Sequence, residues 1–313
     1  MSEAVPILAV HRGNSGYLRY WSAQARQSNP RSRIVLIGDA TNELRDTEHA
    51  EWTDYLGDDG EEFTRSYQHL SSLRFEFELF CMQRWFVIAH FMRRHGIPWA
   101  FVMDTDVLLF SDVSELPRES GFATAGDSGH VALLDARMAA SFARFILDAY
   151  TRPDRLTALR AVYRSYCEVH AAGGICDMTH IAHFRQANAG RVSSLLTIGD
   201  GVFDDNINAP GGFTQVAGVK ALHGMGGKVL GRRADDGRLV RFHGVHFQGV
   251  AKSLMSYAAA GDWRGARRMA RINLLKTSAI RLASGVRRAM ARSRKYGGGA
   301  QKRTGKFSSA GLI

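Results

Sequence analysis

Phe101-Val102-Met103-Asp104-Thr105-Asp106-Val107-Leu108-Leu109-Phe110 is an apolar run interrupted at its middle by two carboxylates one residue apart. A short continuous run of this kind predicts a buried strand. Two acids inside it require a compensating charge, because an unpaired carboxylate is too costly to keep in the interior. A divalent ion is one source of that charge, and hard ions such as Mn2+ or Mg2+ take carboxylate oxygen readily. The phosphates of a substrate would complete the coordination. The competing reading makes Asp104 and Asp106 plain caps or turn formers at a strand end.

A second stretch far along the chain favours the metal reading. His246-Phe247-Gln248-Gly249-Val250-Ala251-Lys252 follows a short apolar segment around Leu239 to Phe242. Histidine offers a nitrogen ligand that suits Mn2+, glycine lets the backbone approach a phosphate, and lysine brings a point charge to it.

Together the two stretches resemble the glycosyltransferases of family eight, the glycogenin and lipopolysaccharide galactosyltransferase type, which carry Asp-x-Asp and a late His-x-x-Gly-x-x-Lys. The resemblance covers the layout of roughly residues 5 to 252. It implies a GT-A architecture, a doubly wound mixed α/β sheet flanked by helices, with a nucleotide-sugar donor of the UDP-sugar kind. It also implies that Asp104, Asp106 and His246 hold Mn2+ or Mg2+, and that Gly249 and Lys252 contact the donor diphosphate. Retention of configuration is the outcome the resemblance implies.

The beginning of the chain fits such a sheet. Val5 to Val10 reads as a strand, His11 to Gly16 as a loop, Tyr17 to Gln27 as a helix and Arg33 to Gly38 as a second strand, followed by Asp39. In a doubly wound sheet ligands sit at the carboxyl ends of the strands, where His11 and Arg12 fall. The resemblance assigns that loop to the nucleotide base, while a solvated turn is the alternative for either residue. Gly13 and Gly16 make only half of a dinucleotide fingerprint.

From Phe63 to Arg94 the chain predicts helix, with aromatic residues on most sides and therefore buried on more than one. Arg74 and Arg84 on it either snorkel to solvent or reach the site. The resemblance places a donor-binding cation on this helix, and spacing alone does not choose between the two. Asp127, Ser128 and Gly129 are expected at a bend facing the cleft. Asp177 is placed to open a helix over Met178 to Gln186, with N-capping as its structural role. In the resembled family an Asp-Gln pair here contacts the donor sugar, and Asp177-Met178 supplies the acid alone. His180 and His183, three apart, have the spacing of a metal pair but no further ligand. Gly199 to Asn208 carries three carboxylates and two amides, natural partners of sugar hydroxyls, and is expected to bind the acceptor. A base such as Asp177 or Asp205 would serve an inverting reaction instead.

Composition sets the remaining bounds. With 313 residues and 45% hydrophobic content, one large α/β unit is affordable. No window approaches the ~20 apolar residues of a membrane-spanning helix, and the first residues lack a basic start with an apolar core, which predicts a cytoplasmic protein. Cys81, Cys167 and Cys176 match neither a zinc site nor a disulfide framework and are expected to be core thiols. The net charge of +11 is unevenly spread: residues 263–313 hold 14 Lys or Arg and no acid, leaving 27 basic against 30 acidic residues before them. The expected division is therefore a catalytic domain over 1–262 and a basic tail over 263–313. Met269, Ile272, Leu275, Ala279, Leu282, Val286 and Met290 recur at helical spacing in that tail. This suits either an anionic membrane surface, reached through 263–295, or packing on the domain.

The leading expectation is thus a metal-dependent glycosyltransferase acting on a glycan or glycolipid acceptor. A sugar nucleotidyltransferase would need a basic phosphate loop after the first strand, which His11 to Gly16 lacks. A nucleic-acid-binding protein would act through the tail, whose few aromatics argue against reading of bases.

Overall fold

The computed structural model of the protein describes residues 4–276. Its first strands are β1 (Ile7–Val10), β2 (Ile34–Gly38) and β3 (Glu48–Glu51), with helix α1 (Leu18–Ser28) crossing between the first two. Both faces of this sheet are covered, so alternate side chains serve different cores. Ile7, Ala9, Ile34 and Leu36 pack towards Trp21 and Ala25 of α1. Leu8, Val10, Val35 and Ile37 pack on the other side. Glu-His-Ala-Glu of β3 gives no apolar signal; its strand is the sheet edge, where polar side chains are the rule.

The predicted single helix over 63–94 is two, α2 (Gly57–Ser66) and α3 (Phe75–Arg94). The break at 67–74 is held open by backbone bonds from Ile175 to Leu70 and from Ser72 to Gly173. Trp85, Phe86 and Phe91 of α3 are fully buried in the second core. Burial of each such side chain contributes roughly 1.5–3 kcal/mol.

Phe101 to Phe110 does not form one strand. It makes β4 (Trp99–Met103) and β5 (Val107–Leu109), and the chain turns between them at Asp104, Thr105 and Asp106. After β5 come the hairpin β6 (Phe122–Ala125) and β7 (Ser128–Asp135), then helices α4 (Ala136–Thr151), α5 (Pro153–Val169) and α6 (Asp177–Ala187). Strands β8 (Val192–Ser194), β9 (Gly201–Phe203), β10 (Gln215–Val216), β11 (Val219–Lys220), β12 (Leu222–Met225), β13 (Lys228–Arg232) and β14 (Leu239–His246) follow.

The large sheet has the order β3-β2-β1-β4-β7-β6-β8. It is parallel from β3 to β4, and β7 runs antiparallel to both β4 and β6, so the sheet is mixed as expected. The second sheet has the order β12-β13-β14-β5, with β9 beside β14. Asp104 and Asp106 lie where the chain leaves one sheet for the other.

The compact unit runs to Ala270, beyond the expected boundary at 262. Trp263, Ala266 and Ala270 are buried in its first core, and Arg267 donates to the Leu222 carbonyl. Residues 271–276, the described part of a second unit, are helical. Ala279, Leu282, Val286 and Met290 of the apolar stripe lie outside the described residues. Among the described residues no helix is long and apolar enough to cross a membrane. Cys81 and Cys176 are half-buried and Cys167 is exposed, so the last is not the core thiol expected of it.

Candidate metal centre

Strand register brings the two distant motifs together. β14 runs antiparallel to β5 with His246 opposite Val107, the residue after Asp106. The backbone N–H of Phe247 then donates to the Asp106 carbonyl at 2.8 Å. On the other side the N–H of Asp104 donates to the carbonyl of His130 in β7, also at 2.8 Å. One ligand atom from each of Asp104, Asp106 and His246 falls within 4.8 Å of the others. Bonds of ~2.0–2.6 Å to a common ion allow such separations. Two carboxylates and one imidazole are a donor set that fits Mn2+ or Mg2+, the nitrogen favouring the former.

The histidine is oriented for that task. Its Nδ1 lies 2.6 Å from the backbone carbonyl of Asp205, which only accepts, so Nδ1 carries a proton and Nε2 is the nitrogen that offers a lone pair when the ring is neutral. Nε2 faces Oδ1 of Asp106 at 3.4 Å. Oδ2 of the same carboxylate accepts from Nζ of Lys252 at 2.6 Å. Burial works against the charge of Asp106, but His246 and Lys252 outweigh it and hold the carboxyl down at about 2. Burial likewise opposes the cationic forms of His246 and Lys252, and Asp106 reverses this, raising both above their ordinary values.

Asp104 belongs to a second chain of charges. Arg84 of α3 donates to Asp104 through one terminal nitrogen and to Oδ2 of Asp177 through the other, the latter at 2.5 Å. Trp85 adds Nε1 to the same Asp177 oxygen at 3.2 Å. Burial pushes the Asp104 carboxyl up, Arg84 pulls it down, and Asp106 adds to the rise. Arg84 is therefore the cation of this helix that reaches the site, while Arg74 is exposed at the helix start. Asp177 is the first residue of α6, with Cys176 as the cap, so it does not cap the helix.

The loop after β1 lies on the same side. His11 Nδ1 is 2.9 Å from Oγ1 of Thr105, the residue between the two aspartates. Its Nε2 is buried without a partner among the described residues. Asp39 accepts from the N–H of Gly13 at 2.6 Å and Asn42 donates to the His11 carbonyl at 3.0 Å, which shapes the loop. Arg12 is exposed and lies over the rings of Trp52 and Phe80, at 4.8 and 5.6 Å. Gly249 opens the 3-10 turn Gly249–Leu254 at φ +62, a backbone conformation that glycine adopts without strain. Lys252 in that turn also sits 5.5 Å from the Tyr17 ring.

Other expected residues fall elsewhere. The Asp205 side chain is exposed, and its contribution here is the carbonyl that holds His246. Its neighbour Asp204 is buried against Lys220 at 2.6 Å. Asp127 pairs with Arg185 on the surface. His180 is buried beside Tyr150, and burial lowers it to about 4; no metal group among the described residues includes it.

Sequence reasoning missed His130, whose ring lies parallel to that of His246 with centroids 4.4 Å apart. Burial, reinforced by His246, drives it down to about 3. It missed Trp85, Thr105 and Lys220 as well. A histidine heading the apolar run Val131 to Leu134 was the one available signal for the first of these.

Neither a family model nor a curated protein matches the sequence. Among solved structures the fold is similar to mouse xyloside xylosyltransferase 1 in its apo form, at 9% identity over 63% of this chain and 86% of that one, with a TM-score of 0.42. It is also similar to a glycosyltransferase involved in glycosylation of the major capsid of PBCV-1, at 8% identity over 82% of this chain and 99% of that one, again with a TM-score of 0.42.

Proposed function

We propose that this chain is a metal-dependent glycosyltransferase of the GT-A kind, resembling family eight, that moves a sugar from a UDP-sugar to a glycan or glycolipid acceptor. The observation that carries the reading is the meeting of Asp104, Asp106 and His246, drawn from two sheets and more than a hundred residues of sequence, with Lys252 on the same carboxylate.

Mn2+ or Mg2+ held by these three side chains would neutralise a diphosphate leaving group. Lys252 is then placed to bind the outer phosphate, and the open backbone at Gly249 to approach it. His11 and Arg12, beyond the carboxyl end of β1, suit the nucleoside. Arg84 bridges Asp104 and Asp177, and Asp177, with both its named donors on Oδ2, would offer its other oxygen to a sugar hydroxyl. The exposed side chain of Asp205 suits the acceptor side and is the better placed of the two acids to take a proton if the reaction inverts. The basic residues that follow the compact unit, beyond Ala270, would bring the enzyme to an anionic membrane surface where such acceptors lie.

A screen of nucleotide sugars for release of nucleoside diphosphate in Mn2+ or Mg2+ tests the proposal. Release that requires the ion and a UDP-sugar is the expected result. No release from any donor in either ion removes the reading.

A further inference from the structure

His130 touches both metal-binding segments without facing the metal position. Its carbonyl receives the N–H of Asp104. Its ring stacks on His246 at 4.4 Å with 10° between the planes. Nε2 lies 2.9 Å from the Asp204 carbonyl and must be its donor, which leaves Nδ1, 2.7 Å from Oγ of Ser128, to accept the hydroxyl proton. Both ring nitrogens are thereby used, so the neutral ring is fully satisfied and neither nitrogen is available as a ligand.

The two stacked imidazoles hang on two successive carbonyls, His130 on Asp204 and His246 on Asp205. That pair of peptides is itself anchored. The Asp204 carboxylate accepts from buried Lys220 at 2.6 Å, and the same ammonium reaches the Asn206 carbonyl at 2.6 Å. The bond from Nδ1 to Asp205 decides which nitrogen of His246 faces Asp106, but the contact there is long, at 3.4 Å, so rotation about the Cβ–Cγ bond, a broad torsion, is only loosely fixed by the two. A parallel ring in contact removes this freedom.

Resting on the reading of Asp104, Asp106 and His246 as a metal centre, we infer that His130 is a positioning residue for it. It sets the plane of the His246 ring with its own ring, and ties Asp104 to the same block through its carbonyl. Partners of this sort beyond the ligands typically alter metal affinity 10- to 100-fold when removed.

The test is Mn2+ binding to the full chain, followed by the electron paramagnetic resonance of the free ion, in the wild type, His130→Leu, His130→Phe and His246→Ala. Leucine and phenylalanine both remove the bonds to Asp204 and Ser128, and only phenylalanine keeps a flat ring. The expected result is affinity about 10- to 100-fold weaker in His130→Leu, largely restored in His130→Phe, with similar unfolding midpoints for the two in EDTA. If His130→Leu does not fold, His130→Gln takes its place, retaining a donor for Asp204 but no ring, with the same loss expected. Equal affinity in the leucine and phenylalanine variants, or wild-type affinity in the former, overturns the positioning role. Wild type and His246→Ala binding Mn2+ equally would instead overturn the metal centre itself.

Discussion

Lys252 donates from Nζ to Oδ2 of Asp106 across 2.6 Å, while Oδ1 of the same carboxylate faces Nε2 of His246 at 3.4 Å. A single acid thus joins the turn between two sheets to both ends of the late His-x-x-Gly-x-x-Lys motif. The lysine is half-buried and stands on a short 3-10 turn, with about a third of its side chain exposed.

Lys252→Ala is accordingly expected to weaken UDP binding about tenfold or more and UMP binding little, since a charged hydrogen bond to the outer phosphate contributes about 1.5–3 kcal/mol. Calorimetry with both nucleotides in Mn2+ checks this. Equal losses for the two would place the lysine away from the second phosphate.

Asp106→Asn and His246→Ala are each expected to abolish metal-dependent turnover and to change the pH dependence of stability in the metal-free protein. The Asp106 carboxyl is held at about 2 against an ordinary value of 3.8, so its contribution is present above that ordinary value and is lost as pH falls towards 2. The contribution is roughly 2 kcal/mol. His246 is raised, so its share is complete below its ordinary 6.5 and is lost as pH rises through the raised value. Urea unfolding in EDTA across both windows should show both slopes in the wild type, and in Asp106→Asn the acid slope lost and the histidine slope reduced. An unchanged profile in that variant would contradict the ion-pair account.

Arg84→Lys tests the link between Asp104 and Asp177. A guanidinium spans two carboxylates with separate nitrogens, whereas an ammonium is a point charge that cannot occupy both positions. We expect the lysine variant to lose activity by at least tenfold while folding, and Arg84→Ala to be destabilised by removing the cation beside buried Asp177 and half-buried Asp104. Wild-type turnover in Arg84→Lys would show that charge alone suffices.

Truncation separates core from tail. Ending the chain at 262 removes Trp263, Ala266 and Ala270 from the core, and should destabilise the domain by about 3 kcal/mol or more. Ending it at 276 should leave the domain folded and active on a soluble acceptor. The full chain should sediment with anionic vesicles in low salt and release as salt rises, unlike the 1–276 protein. Equal sedimentation with neutral vesicles would remove the electrostatic part of this expectation.

The large sheet was legible because its central strands β1, β2, β4 and β7 are short continuous apolar runs covered on both faces. Polar β3 escaped for the opposite reason, since an edge strand has no face that must be apolar. The helix break at 67–74 escaped too, because long-range bonds to residues 173 and 175 hold it open and no local breaker marks it. The apolar stripe read from Met269 onward left packing on the domain and a membrane surface both open, and the buried Trp263, Ala266 and Ala270 lie off it.

From the chain alone came the chemical identity of the two motifs: which side chains can bind a divalent ion, and which can meet a phosphate. Those properties belong to single residues and survive without a fold. The choice of Arg84 over Arg74, the hold of the Asp205 carbonyl on His246, and the stack of His130 on His246 were decided only by tertiary structure. Each joins residues far apart in sequence, from a helix, a loop and two strands, so none can be read from local pattern; for the stacked pair, a register shift of one residue would turn either ring to the opposite face.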